Sequence, residues 1–120
     1  FVTYSNELKK TVLGVRIETL QAYGAVSEQT AREMAEGARM RFRADYSLVT
    51  TGIAGPGGGT PAKPVGTVFI ALSSQRGTIV IQQLNQFDRE TFKHVTSQQA
   101  LDMLRRELLK TDVPAATSVA

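Results

Sequence analysis

Residues 50–67 read Thr-Thr-Gly-Ile-Ala-Gly-Pro-Gly-Gly-Gly-Thr-Pro-Ala-Lys-Pro-Val-Gly-Thr, and the rest of the sequence is interpreted around this stretch. Half of the ten glycines lie between Gly52 and Gly59, and three of the four prolines lie between Pro56 and Pro64. Glycine makes a loop flexible, whereas proline fixes its φ angles. The residues alone leave two interpretations open. The stretch is an ordinary connection between strands, or it is a cradle whose backbone N–H groups and threonine hydroxyls bind an anion.

Strand-like runs flank this loop. Asp45–Thr50 precedes it, Val68–Leu72 follows it, and a further run begins at Ile79 after a turn-like segment over 73–77. Val68–Leu72 is apolar at every position, which is typical of a central strand covered by helices on both faces. Helical and strand patterns alternate along the chain. We therefore predict a single α/β domain with three α/β/α layers and a mixed sheet.

Capping residues predict where the helices begin and end. Ser5 or Asn6 is placed to cap a first helix that Gly14 ends, Ser27 to cap a longer helix, and Asp88 to cap the last one. A short helix is predicted over 17–23. The spacing of apolar residues in the last helix predicts an inward stripe made of Ala100, Leu101, Leu104 and Leu108.

The two ends of the sequence carry separate predictions. Phe1–Tyr4 reads as a strand already under way, and no initiator Met precedes it, so we expect the domain to be truncated at its amino end. The domain is predicted over residues 1–110. Residues 111–120, with Pro114 and many small side chains, are predicted to form a flexible tail.

The composition is that of an ordinary globular domain of 120 residues, 42% hydrophobic and 21% charged. Cysteine is absent, which excludes disulfides, and no apolar run approaches the roughly 20 residues of a membrane span. We expect a cytoplasmic protein without a membrane partner. The net charge of +3 raises the question of nucleic acid. Acidic residues are interspersed with the basic ones, and no aromatic and basic platform is visible, which argues against nucleic acid as a partner.

Few residues could carry chemistry by themselves. Lys9 could act as a general base or be an ordinary solvated lysine, and Tyr4 could donate to an oxyanion or lie at a sheet edge. The Thr51 hydroxyl could bind substrate or make a local turn bond. His94, the only histidine, is interpreted as a surface residue. No cluster has the spacing of metal ligands, so neither a metal nor another cofactor is expected.

The loop matches neither the P-loop nor the dinucleotide pattern, because Thr60-Pro61 follows Gly59. Its motif, residues 51–59 followed by Lys63-Pro-Val-Gly-Thr, instead resembles the signature of the CinA carboxy-terminal family. The resemblance runs in order from Phe1 to about Leu109. Three further stretches carry it: 1–9, 24–28 and 87–89.

The resemblance implies roles for particular residues. Tyr4 and Thr51 would line the catalytic pocket, and Lys9 would be the partner of a nucleophilic serine. In the family that serine belongs to a Ser-Cys-Thr-Gly-Gly motif that this sequence lacks. Arg89 would contact the substrate phosphate. The implied substrate-binding residues are Gly52, Ala54, Gly55, Pro56, Gly57, Gly58 and Arg89.

The characterised activity of this family is the deamidation of nicotinamide mononucleotide (PncC type). The resemblance thus implies an amidohydrolase that releases ammonia and nicotinate mononucleotide, works without a cofactor and forms a homodimer. The 120 residues alone are expected to be inactive, because the nucleophile is not among them. The alternative is a non-catalytic module of the same family that only binds a nucleotide.

Overall fold

The computed structural model describes residues 1–119, with side chains described for residues 1–110. Seven elements follow one another along the chain: α1 Asn6–Leu13, α2 Ile17–Tyr23, α3 Glu28–Arg41, β1 Tyr46–Gly52, β2 Thr67–Ser74, β3 Gly77–Leu84 and α4 Arg89–Val119.

The predicted caps are confirmed in α1 and α3. The Ser5 hydroxyl accepts a hydrogen bond from Leu8 N at 3.1 Å, and the Ser27 hydroxyl accepts one from Thr30 N at 3.1 Å. Gly14 ends α1 with φ 73°, in the left-handed region that favours glycine. Local side-chain chemistry therefore fixes these helix boundaries.

The amino end of α2 is capped from a different helix. Its N-cap residue, Arg16, makes no side-chain cap bond. Instead the Glu33 carboxylate, on α3, accepts hydrogen bonds from Arg16 N at 2.9 Å and from the Thr19 hydroxyl. Burial acts to raise the pKa of Glu33, but the bonds from Thr19 and Arg16 and the charge of Arg16 outweigh it and lower that pKa below its usual value of 4.5.

The sheet has the order β1-β2-β3, and both pairings are antiparallel. The α/β class is confirmed, but a mixed sheet was the wrong expectation for the described residues. Parallel neighbours need a long crossover, usually a helix. Here no helix lies between β1 and β2, and a tight turn joins β2 to β3.

The three predicted layers are confirmed. β2 is buried at all eight positions, because its two faces meet different helices. Val68 and Ile70 pack with Phe92 of α4, whereas Phe69 packs with Ala35 of α3. The sheet is therefore the middle layer, with α4 on one face and α3 on the other.

The first residues do not form the predicted strand. Phe1–Tyr4 has no regular structure and does not join the sheet of the described residues. A strand needs a hydrogen-bonded neighbour, and this segment has none in the sheet. The ring of Phe1 instead stacks on Phe42, with centroids 5.0 Å apart.

The predicted inward stripe of α4 is buried at Ala100 and half-buried at Leu104, but it is wrong at the other two positions. Leu101 and Leu108 are 57% and 41% exposed, whereas the polar residues Thr96 and Glu107 are buried. Tertiary partners allow this burial. Thr96 accepts a hydrogen bond from Asn85, and Glu107 pairs with Arg76 at 3.3 Å.

The carboxy-terminal prediction is not decided. The helix α4 extends over the backbone of 111–119, whose side chains lie outside the described part, as does the whole of Ala120. The flexible tail over 111–120 therefore stays a prediction. Among the described residues, none of the helices is both long and apolar enough to cross a membrane.

Candidate functional site

A cavity of about 1060 Å³ lies between the amino-terminal segment, β1, the glycine-rich loop and the first half of α4. It brings together nine of the ten residues that the sequence predicted for the site: Tyr4, Lys9, Thr51, Gly52, Ala54, Gly55, Gly57, Gly58 and Arg89. The tenth, Pro56, is an exposed loop residue and is not among the lining residues. One cavity thus gathers residues that are far apart in the sequence.

The charge of the cavity has one sign. The only charged side chains among its described lining residues are those of Lys9 and Arg89, and no carboxylate is among them. The guanidinium of Arg89, with no acid among these described lining residues to compensate its charge, attracts an anionic ligand. The cavity therefore favours a ligand that carries a phosphate or a carboxylate.

Lys9 is the most perturbed group in the cavity. It lies on α1 and is only 8% exposed, and its Nζ donates to the carbonyl oxygen of Thr3 at 2.7 Å. Burial lowers the pKa of this amine below its usual value of 10.5, because desolvation disfavours the charged form. A lysine in this state loses its proton more readily than a solvated one. Its neighbour Lys10 differs, since it is exposed and pairs with Glu7 at 3.6 Å.

The other two predicted catalytic residues differ in their surroundings. Tyr4 is 81% exposed and follows an irregular segment, so the expectation that it ends a strand was wrong. Thr51 is 7% exposed and lies near the end of β1, where its hydroxyl donates to the carbonyl oxygen of Ala25 at 2.7 Å. The proton of Thr51 is therefore already used, while its oxygen can still accept a hydrogen bond.

Val65 explains why the loop needs two of its glycines. Its Cγ1 atom lies 2.5 Å from the position that a Cβ on Gly55 would occupy, and its backbone nitrogen lies 2.7 Å from that of Gly59. A side chain at either position would overlap with Val65. Gly55 also has φ +81°, which L residues rarely adopt. These two glycines are required by the packing of the loop on itself.

Gly57 has no such structural reason. A Cβ on Gly57 would meet nothing within 4 Å, and its backbone is not in the left-handed region. It nevertheless lies on the wall of the cavity. A glycine that the fold does not require is typical of a place where a ligand approaches the backbone closely.

Arg89 joins α4 to the loop. Its Nη1 donates to the carbonyl oxygen of Gly55 at 2.8 Å. The rest of its guanidinium fork can donate to a ligand at the same time, since arginine has five N–H donors. Lys93, one turn further on, pairs with Glu90 at 2.9 Å and is not among the described lining residues of the cavity.

Sequence reasoning assigned no role to Lys63 or Val65, although it quoted both within the family motif. Val65 packs under the loop, and the Lys63 ammonium donates to the carbonyl oxygen of Tyr23 at 2.8 Å. The sequence feature that could have indicated a role is their position in a stretch rich in proline. Proline fixes the backbone φ angles there, so the direction in which a side chain leaves the backbone is also restricted. His94 is exposed, as predicted.

Known proteins are similar to this chain over most of its length. The family model described as the CinA C-terminal domain matches residues 1–108. The CinA-like protein of Acidobacterium capsulatum is 50% identical over 108 residues, which are 90% of this chain and 26% of that protein. The CinA-like protein of Shewanella loihica is 53% identical over 115 residues, or 93% of this chain and 27% of that protein. The chain thus spans about a quarter of the length of these relatives.

Solved structures agree with this match. The competence/damage inducible protein CihA from Agrobacterium tumefaciens has a TM-score of 0.85 and 44% identity, over 88% of this chain and 66% of that one. A CinA superfamily protein from Escherichia coli has a TM-score of 0.83 and 38% identity, over 87% of this chain and 60% of that one. Both neighbours contain a substantial part that this chain does not cover.

Proposed function

Since the chain belongs to the CinA C-terminal domain family, we propose that its full-length protein is a nicotinamide-nucleotide amidohydrolase. The substrate would be nicotinamide mononucleotide, and the products nicotinate mononucleotide and ammonia. The observation that carries the proposal is the cavity in which a buried lysine, an arginine and an unobstructed glycine backbone face the same space without a carboxylate. This combination suits a ligand with a phosphate at one end and a neutral amide at the other.

The chemistry would use a serine that is supplied from outside this sequence. Neutral Lys9 would take the proton of the serine hydroxyl while the serine oxygen forms a bond to the carboxamide carbon. The C–N bond would then break as Lys9 returns the proton to nitrogen, which releases ammonia. Water would next attack the acyl-enzyme and release the carboxylate. The lowered pKa of Lys9 supports this role, because burial makes the amine easier to deprotonate and a base must be deprotonated to accept a proton.

Tyr4 and Thr51 would steady the oxyanion that forms during the attack. The phenol of Tyr4 can donate a hydrogen bond to a developing negative charge. The hydroxyl of Thr51 donates to the Ala25 carbonyl, so it would exchange that bond in order to donate to the oxyanion. These two roles come from the resemblance.

The phosphate would lie against the glycine-rich loop. Gly57 and Gly58 would offer backbone N–H groups beside Pro56, which has none, and Arg89 would add a charged donor from the start of α4. The loop begins at the end of β1 and lines the same cavity as Lys9. The other loop residues in the proposed contact are Gly52, Ala54 and Gly55.

Ammonia release from nicotinamide mononucleotide by the full-length protein tests the activity. Lys9→Ala is expected to abolish turnover, whereas Lys10→Ala, its exposed neighbour, is the matched control and should leave it unchanged. Full activity of the Lys9 variant would remove the proposed base. Equal losses in both variants would point to damage of α1 and not to chemistry.

A non-catalytic nucleotide-binding module is the second candidate. It is favoured by the state of the two serines that line the cavity. Ser47 donates to the Ala35 carbonyl, and Ser97 donates to the Lys93 carbonyl at 2.7 Å. Neither is poised as a nucleophile. Nucleotide binding without ammonia release by the full-length protein would select this candidate. A homodimer stays a prediction for either function.

A further inference from the structure

The glycine-rich loop has a second attachment, on the side away from Arg89. Lys63 extends across to α2, where its Nζ donates to the carbonyl oxygen of Tyr23, the last residue of that helix, at 2.8 Å. α2 has no basic residue in its own last turn. Lysine side chains commonly bond the free carbonyls at a helix end. Lys63 supplies that cation to α2 from a distant part of the sequence.

The backbone around Lys63 is held in a closed turn. Thr60 N donates to Lys63 O at 2.9 Å, and Lys63 N donates to the Thr60 hydroxyl at 3.0 Å. The Thr67 hydroxyl then donates to Pro64 O at 2.7 Å. Lys63 therefore starts from a fixed position, and its contact with α2 fixes the residues that follow it.

Val65 carries this constraint to the other half of the loop. It follows Lys63 by two residues and packs against both Gly55 and Gly59. On the opposite flank, Arg89 holds the carbonyl of Gly55 at 2.8 Å. Besides its backbone hydrogen bonds, the loop is thus held by the side chains of Lys63 and Arg89, and the residues between Gly55 and Gly59 are exposed.

We propose that Lys63 is a positioning residue that holds the glycine-rich loop in its ligand-binding shape before a ligand arrives. The inference rests on the proposed function for the identity of the ligand, a mononucleotide phosphate. Lys63 does not contact that ligand, because its ammonium points to α2 and it is not among the described lining residues of the cavity. Six of the residues from 55 to 61 are glycine or proline, and a flexible loop would have to lose conformational freedom on binding. By holding the loop beforehand, Lys63 reduces this entropic cost.

Two variants and a control test the inference in the full-length protein. Lys63→Met keeps the aliphatic chain and removes the donor, Lys63→Arg keeps a donor, and Lys10→Met is the control at an exposed lysine elsewhere. Without ligand, hydrogen exchange of the Thr60 and Gly66 amides, which donate to Lys63 O and Ile53 O, is expected to be about tenfold faster in Lys63→Met, the effect of losing one charged hydrogen bond. Lys63→Arg and Lys10→Met should exchange as the unaltered protein does.

With nicotinamide mononucleotide, Lys63→Met should raise KM by about tenfold and leave kcat unchanged, because only the loop's readiness to bind is affected. Unchanged exchange in Lys63→Met would overturn the inference. So would a fall in kcat at constant KM, or equal effects of the Met and Arg variants. If the unaltered protein neither binds nor hydrolyses the mononucleotide, while loop exchange still responds to Lys63→Met, the proposed function fails and the positioning role stands.

Discussion

Gly55 and Gly57 lie two residues apart in the same loop, and the structure predicts opposite outcomes for the same substitution. In Gly55→Ala the new methyl group would lie 2.5 Å from Val65 Cγ1, on a backbone with φ +81°. In Gly57→Ala it would meet nothing within 4 Å. Each variant is therefore the control for the other, since the chemical change is identical.

The two variants should differ clearly in their free energies of unfolding and in their affinities for the ligand. An L residue in the left-handed region costs about 1–2 kcal/mol, and overpacking adds about 1–3 kcal/mol, so Gly55→Ala should lower the free energy of unfolding by about 2–5 kcal/mol. Gly57→Ala should leave stability unchanged or raise it by about 0.4–1 kcal/mol, because alanine reduces the entropy of the unfolded chain. Gly57→Ala should instead weaken ligand binding. Loss of one amide contact to a phosphate is worth about 1.5–3 kcal/mol, or about 10–100-fold in Kd.

Thermal unfolding and calorimetric titration with nicotinamide mononucleotide measure the two effects in the full-length protein. Gly57→Ala should melt with the unaltered protein and bind about 10–100-fold more weakly. Gly55→Ala should melt several degrees lower. If Gly57→Ala binds the mononucleotide normally, the backbone at Gly57 does not approach the ligand, and the placement of the phosphate against this loop is wrong.

Three further outcomes follow from other contacts. The rate of ammonia release should rise with pH through a pKa that lies below 10.5, because burial lowers the pKa of Lys9; a limb at 10.5 or above would contradict its role as base. The Glu33 carboxylate contributes stability that is fully present above pH 4.5 and is lost as pH falls through its lowered pKa. Glu33→Gln should remove this contribution, so the denaturation curves of the variant and the unaltered protein should differ at neutral pH and converge in acid. Gly37→Ala should destabilise by several kcal/mol in denaturant titration, since its Cβ would overlap the carbonyl oxygen of Leu13 and push α1 from α3; an unchanged midpoint would refute that packing.

Helix boundaries were predictable from the sequence because their causes are local. A serine hydroxyl within three residues of a free N–H, as at Ser5 and Ser27, makes the same bond whatever the rest of the fold does. Gly14 likewise ends α1 through its own φ angle. The turn between β2 and β3 was also predicted, because its residue types mark it locally.

The buried face of α4 was not predictable in the same way. Leucine spacing pointed to Leu101 and Leu108, but the face that packs on the sheet includes Thr96 and Glu107. A polar side chain is buried without penalty only when a partner satisfies it. Those partners are Asn85, which directly follows β3, and Arg76 in the turn before β3, and a pattern within one helix contains no information about them.

For the candidate site, the sequence predicted the loop but not the role of each glycine in it. A run of glycines predicts a loop that could bind an anion, but it gives every glycine the same weight. The packing of Val65 divides them: Gly55 and Gly59 are required by the fold, whereas Gly57 is not. A glycine retained for packing says nothing about a ligand, so only Gly57 carries the functional expectation. The anion-binding interpretation therefore rests on one unobstructed residue of the cavity wall and on the charge of Arg89, which no carboxylate among the described lining residues neutralises.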